Sequence, residues 1–280
     1  MTEGWFAGLA SDDPAARDRI REGSADVPAD WPALAVEAGF AADEDEYYAA
    51  LHDTATEAAR TAATERERAD DRQVIHAVRA MDDTERTANE LAERVAEWAG
   101  SRSDDAGTGV EFCRELAHED ADDPTDERVR SLAGRAVALD DERAALETFL
   151  ERALPTVAPN LTALAGPTLA ARLLSLAGGL KSLARTSSST VQLLGAEEAL
   201  FAHLRGTAPS PKHGVIYVHE SVRGTRPEKR GSAARALAGK LTIAARIDHY
   251  AGDRRPELDD ELAYRIAQIR GNTEATDGSA

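Results

Sequence analysis

Residues 72–99, RQVIHAVRAMDDTERTANELAERVAEWA, contain neither glycine nor proline and space Val74, Val78, Met81, Ala88, Ala92, Val95 and Ala99 three or four positions apart or multiples of it. That spacing draws one apolar stripe along a helix, interrupted at Glu85, and predicts a coiled-coil seam. Gly100 and the run SRSDDAGTG supply a stop and a loop. A second helical stretch starts near Val110, and Asp123-Pro124 reads as a cap followed by a first-turn proline. Beyond it Val129, Leu132, Ala136, Leu139, Leu146 and Leu150 keep the same register, with Arg143 at the one charged seam position. Two long helices joined by a loop fold back as an antiparallel hairpin, here over 69–153. Such a hairpin serves as a dimerisation arm, a spacer or simply domain core. Leu132, Leu139, Leu146 and Leu150 are the candidates for pairing two copies.

Composition extends the helical reading to the whole 280-residue chain. Alanine supplies much of the 42% hydrophobic content and aromatics only 5%, which suits helix seams better than a thick central sheet. The expected class is mostly all-α: a small N-terminal domain (1–68), the hairpin (69–153), a helical C-terminal domain (154–270) and a disordered tail (271–280). The first segment is expected to form helices at 14–21 and 44–60, and clusters Trp5, Phe6, Trp31 and Phe40 in a chain otherwise poor in aromatics. Those rings form either the core of a small domain or a docking face for a partner. After Pro155 the chain becomes Gly-, Ser- and Leu-rich with almost no acids, so a new domain begins there. Its expected helices are 167–177, 189–204, 227–249 and 256–269, with 206–224 mainly loop around an apolar GVIYV core.

No apolar run is long enough to span a bilayer and MTEGWFAGLASDD does not read as a leader, so a cytoplasmic location is expected. Cys113 is alone, which excludes an intrachain disulfide and a cysteine zinc cluster. The seven histidines show no metal-ligand spacing, and neither a phosphate-cradling glycine loop nor a dinucleotide fingerprint is present. The sequence therefore offers no reaction centre and no metal or cofactor site, and the chain reads as a non-enzyme.

Charge points to binding instead. The net charge is −18, but 155–250 holds 12 Lys and Arg against 5 Asp and Glu, a balance of +7 on a remainder of −25. An acidic body carrying a basic working surface fits nucleic acid; the acidic, Ala-rich, Arg-over-Lys composition also fits adaptation to high salt. In about 1 M salt the Debye length is only about 3 Å, so RNA would be held by short contacts rather than by long-range steering. Within 205–246 the cations Arg205, Lys212, Arg223, Arg226, Lys229, Arg230, Arg235, Lys240 and Arg246 interleave with His213, Tyr217 and His219. Arginine and lysine contact phosphates, while histidine and tyrosine stack on unpaired bases.

The blocks STVQLLGAE, PKHGVIYVH and RGSAARALAGKLTIAARID, within 155–250, resemble the Nop domain of archaeal box C/D ribonucleoprotein scaffolds. Upstream, Ile75, Ala77, Asp82, Asn89, Arg94 and Trp98 are similar to the family's first coiled-coil helix. The resemblance implies an N-terminal domain that docks fibrillarin, a coiled coil that pairs two scaffolds, and a Nop domain that grips a kink-turn guide RNA already bound by a small ribosomal-protein-like partner. It implies no cofactor on this chain; S-adenosylmethionine would sit on fibrillarin, which methylates a ribose 2′-hydroxyl of ribosomal or transfer RNA. By the same resemblance Arg235 and Arg246 match RNA-contacting arginines, Lys240 a family lysine, and Tyr217 or His219 a base-contacting side chain. Lys212, His213 and Arg230 complete the expected RNA set, and Trp5, Phe6, Trp31 and Phe40 the expected partner face. Three features depart from the pattern: Glu198 and Ser232 stand where lysines are usual, the N-terminal segment is about half the usual length, and the Lys-rich tail is missing. A helical protein–protein adaptor that kept the Nop fold without binding RNA is the rival reading.

Overall fold

A computed structural model describes residues 4–10, 13–23 and 29–271, so the expected disordered tail lies outside the described residues apart from Gly271. Among the described residues every regular element is helical, and the chain divides into two compact units, 1–69 and 70–280. None of the described helices is long and apolar enough to cross a membrane.

The first unit is built from α1 (Ala15–Glu22), α2 (Trp31–Glu37) and α3 (Glu44–Arg68). Asp43 caps α3 by accepting from the Glu46 amide at 2.8 Å, and the Glu46 carboxylate accepts from the Ala42 amide, one residue before the cap, at 2.6 Å. The capped helix continues to Arg68, eight residues beyond the expected end, because TAATERER contains no breaker. Phe6, Ala35, Phe40, Ala41 and Tyr47 are buried together, with Trp5 and Trp31 packed against them. Trp5 meets Phe40 edge-on with ring centroids 5.1 Å apart and donates from Nε1 to the Tyr47 hydroxyl at 3.2 Å. The aromatic cluster is thus the core of this unit, and Phe6 and Phe40 are too buried to be a docking face. Among the described residues of this unit the exposed large apolar side chains are Leu34, Val36 and Tyr48.

In the second unit α4 (Asp70–Gly100) and α6 (Pro124–Val157) form the expected antiparallel hairpin, and α5 (Gly109–Leu116) packs across its tip. Asp123 caps α6 through the amides of Thr125 and Asp126, at 2.8 and 2.9 Å, with Pro124 in the first turn as read from the sequence. Cys113 is buried at the tip among Ala92, Val95, Val129, Ala133 and Ala136, and burial pushes its thiol pKa up. Arg143, the charged seam position, is answered by Asp140 and Glu147 at 3.0 and 3.1 Å.

The hairpin does not end where composition changes. α6 runs through Pro155, which lies exposed in its last turn, and Leu150 and Leu154 are fully buried in one core with Val74, Val78, Met81 and the C-terminal helices. Each such leucine contributes about 1.5–3 kcal/mol by burial. Leu150 is consequently spent inside the chain and is not available for dimerisation. Polar contacts cross the same boundary: Arg172 reaches Asp82 at 2.6 Å, Arg79 reaches Ser175 at 3.1 Å, and Asp71 accepts from the Leu180 amide at 2.9 Å.

The C-terminal helices are α7 (Pro159–Ala165), α8 (Pro167–Ala177), α9 (Leu180–Arg185), α10 (Ser188–Leu193), α11 (Glu197–Leu204), α12 (Glu220–Arg223), α13 (Arg230–Tyr250) and α14 (Glu257–Gly271). The single helix expected over 189–204 is split, because Gly195 adopts a left-handed φ of 80° between α10 and α11. GVIYV becomes a short 3-10 turn over Val215–Val218. α13 lies at the centre: Ala233, Ala234, Leu237, Ala238, Leu241, Ala244 and Ala245 are buried, and their small side chains allow close approach by the neighbouring helices.

Candidate nucleic-acid interface

The buried arc of α13 leaves an outward strip carrying Ser232, Arg235, Ile243, Arg246 and Tyr250. Arg235 and Arg246 are eleven residues apart, three turns plus about 20°, so they leave the helix on one side about 16 Å apart. Both are exposed, and neither forms an ion pair among the described residues. Arg246 donates from Nε to the Ala184 carbonyl at 3.1 Å, which orients its guanidinium and places it beside the end of α9. On α9, Lys181 and Arg185 are exposed, four residues apart on one helix face, and also without an ion pair among the described residues. Sequence reading missed both. The signal was present in the absence of any acid between Pro155 and Ala196.

In the hairpin Arg135 and Arg152 are likewise exposed without an ion pair among the described residues, but most of its arginines are answered. Arg86, Arg94, Arg114, Arg128, Arg130 and Arg143 each bridge to a carboxylate. A cation already answered by a neighbouring acid offers little field to an incoming phosphate, whereas an unanswered one keeps it.

Two of the expected RNA cations do not join Arg235 and Arg246. Lys240 leaves α13 toward α14 and pairs with Glu261. Arg230 turns inward to the Thr225 carbonyl at 3.0 Å and lies over the Tyr217 ring, 5.5 Å from its centroid. The four residues therefore do not make one contiguous face. Tyr217 in turn stacks on His213 with centroids 4.6 Å apart, so Arg230, Tyr217 and His213 form one layered group. His213 titrates below the usual histidine range because it is partly desolvated and because Arg230 and Lys212 stand nearby. The loop carrying Lys212 and His213 is fastened by Gly214, whose amide donates to the Gln192 carbonyl at 2.8 Å. A Cβ at Gly214 would fall 2.0 Å from the Leu194 carbonyl oxygen, so only glycine fits. Lys212 itself is exposed beside the start of α13.

His219 is a structural residue rather than a base-stacking one. Its Nε2–H donates to the Leu164 carbonyl at 2.9 Å, and its Nδ1 accepts from the Ser221 amide at 3.1 Å, capping α12. Both contacts require the neutral ring protonated on Nε2, and burial lowers its pKa. A depressed folded-state pKa means the unfolded chain binds the extra proton more readily, so stability is present above the ordinary imidazole value and is lost as pH falls below about 6.5. In thermal melts between pH 8 and pH 5, His219→Asn, which can still cap α12, is expected to show a shallower acid slope than the wild type. Parallel slopes would remove His219 as the source.

The family profile described as Nop, snoRNA binding domain, fibrillarin, matches residues 69–269. An uncharacterised NOP5 family protein of Methanocaldococcus jannaschii is 34% identical over 84% of this chain and 66% of its own length. Nucleolar protein 58 of Scheffersomyces stipitis is 40% identical over 54% of this chain and 29% of its own. Nucleolar protein 56 of Dictyostelium discoideum is 37% identical over 50% and 26%. The chain thus spans less than a third of the two nucleolar proteins. A chain in the crystal structure of a fibrillarin/NOP5P complex superposes with a TM-score of 0.54 at 25% identity, covering 95% of this chain and 98% of that one.

Proposed function

Because this chain belongs to the Nop family, we propose that it is a non-catalytic scaffold of a box C/D guide ribonucleoprotein, which holds guide RNA and fibrillarin together for 2′-O-methylation of ribosomal or transfer RNA. The observation that carries the reading is the unanswered Arg235–Arg246 strip with Lys181 and Arg185 beside it, on a chain that is otherwise strongly acidic. In this reading the strip meets RNA already held by the small kink-turn-binding partner. The methyl donor, S-adenosylmethionine, resides on fibrillarin and no cofactor on this chain.

The first unit is the fibrillarin-docking part. The likeness to a chain of the fibrillarin/NOP5P complex leaves too few residues uncovered to omit that unit, and Leu34, Val36 and Tyr48 provide its outward apolar contacts. The hairpin pairs two copies: Leu132, Leu139 and Leu146 are only partly buried, and Trp98 is exposed. An adaptor that does not bind RNA is favoured by the dispersal of Arg230 and Lys240 and by the exposed Glu198.

Sedimentation velocity in molar salt separates these readings. The full chain mixed with fibrillarin and a partner-bound kink-turn RNA is expected to run as one species holding two copies of the chain. A complex with fibrillarin that excludes RNA would establish the adaptor, a single copy would remove the pairing, and free components would overturn the proposal.

A further inference from the structure

A groove of about 310 Å³ opens between α13 and α14 beside Arg235. Lys229 and Arg235 line it from the α13 side, Arg265 and Gln268 from α14, and Ser232 lies between them. No lining residue is acidic, and Lys229, Arg235 and Arg265 form no ion pair among the described residues. Glu261, one turn before Arg265 on α14, is taken up by Lys240. Gln268 accepts from Arg265 Nη1 through Oε1 at 3.0 Å, which steadies the guanidinium and leaves the amide NH₂ of Gln268 to donate elsewhere. Three cations around one opening repel each other until an anion enters. The start of the 21-residue α13 adds its positive dipole end at Lys229.

We propose that this groove takes one backbone phosphate of the bound RNA, extending the RNA track from Arg185 and Arg246 past Arg235 to α14. The proposal rests on the RNA-binding reading and adds Lys229, Arg265 and Gln268 to it. Ser232 contributes a hydroxyl donor, and its small side chain keeps the opening clear. Along α13 Arg235, which lines the groove, lies about 16 Å from Arg246, so the groove and Arg246 meet different phosphates of one strand.

Binding of the full chain to a partner-bound kink-turn RNA, titrated by fluorescence anisotropy at several salt concentrations, tests this. The double variant Lys229→Gln/Arg265→Gln is expected to bind about tenfold more weakly at low salt and to lower the magnitude of the log K against log[salt] slope by about 1. Gln268→Glu, which keeps the helix and places a carboxylate in the groove, should weaken binding as well. If Arg246→Ala weakens binding while all three groove substitutions leave affinity and slope unchanged, the groove proposal is overturned and the RNA reading stands. If Arg246→Ala is also without effect, both fall. Inorganic phosphate titrated into the RNA-free chain distinguishes a free-anion site: saturable binding lost in the double variant, with RNA affinity intact, overturns the RNA version.

Discussion

Asp248→Ala is expected to destabilise the C-terminal helices by about 3–5 kcal/mol, because each buried donor left without its acceptor costs about 1–3 kcal/mol. Asp248 sits near the end of α13 and is buried, yet both of its oxygens accept hydrogen bonds. Oδ1 accepts from the Asn160 amide at 2.9 Å and from Asn160 Nδ2 at 2.7 Å, and Oδ2 accepts from the Leu161 amide at 2.8 Å. Those two amides are the first free donors of α7, because Pro159 has none and Ala158, at the N-cap, has no side-chain acceptor. A side chain from another helix therefore caps α7. The same Asn160 accepts from the Arg255 amide at 2.6 Å and donates to the Asp253 carbonyl at 2.8 Å, so the network also sets the turn between α13 and α14. Alanine would leave three buried donors without acceptors at once. Urea unfolding of the full chain is the measurement, and a loss under about 1 kcal/mol would show that water replaces the carboxylate. Asp248→Asn should fall between, since one oxygen remains to accept.

That network marks the limit of what sequence shows. The hairpin was legible because its stripe repeats over many turns and because Asp123-Pro124 is a local capping signal; α13 was legible for the same reason. The short helices α2, α7, α9 and α12 were not, because four to seven residues carry no period and their ends are fixed by distant groups such as Asp248. The interface divides in the same way. Arg235 and Arg246 lie on one regular helix, so helical geometry alone placed them on one side. The directions of Lys240 and His219 depend on Glu261 and Leu164, partners too remote for any spacing rule, and that of Arg230 on the Thr225 carbonyl in the irregular turn before α13, which helical spacing does not describe. The same holds for Leu150, which continues the seam of Leu139 and Leu146 although its neighbours come from the core shared with the C-terminal helices.

Replacing Arg235 and Arg246 together is expected to have the largest effect on RNA binding. Each alanine substitution should weaken binding to the partner-bound kink-turn by about 1–3 kcal/mol, the range for hydrogen bonds to charged groups. At about 16 Å apart on α13 the two sites share no partner, so their effects should add, giving about 2–6 kcal/mol for the pair. Guanidinium forks bond phosphate oxygens in pairs at short range, and such contacts survive salt that screens more distant charges. Arg246→Lys discriminates further. It keeps the charge but loses both the fork and the bond to the Ala184 carbonyl that orients it, so it should behave more like alanine than like arginine. Both side chains are exposed, and circular dichroism should show the helices intact in every variant. Gel-shift titrations in molar salt decide the matter: unchanged affinity in both single variants would put the adaptor reading ahead, whereas additive losses would fix the outward face of α13 as the RNA-bearing surface.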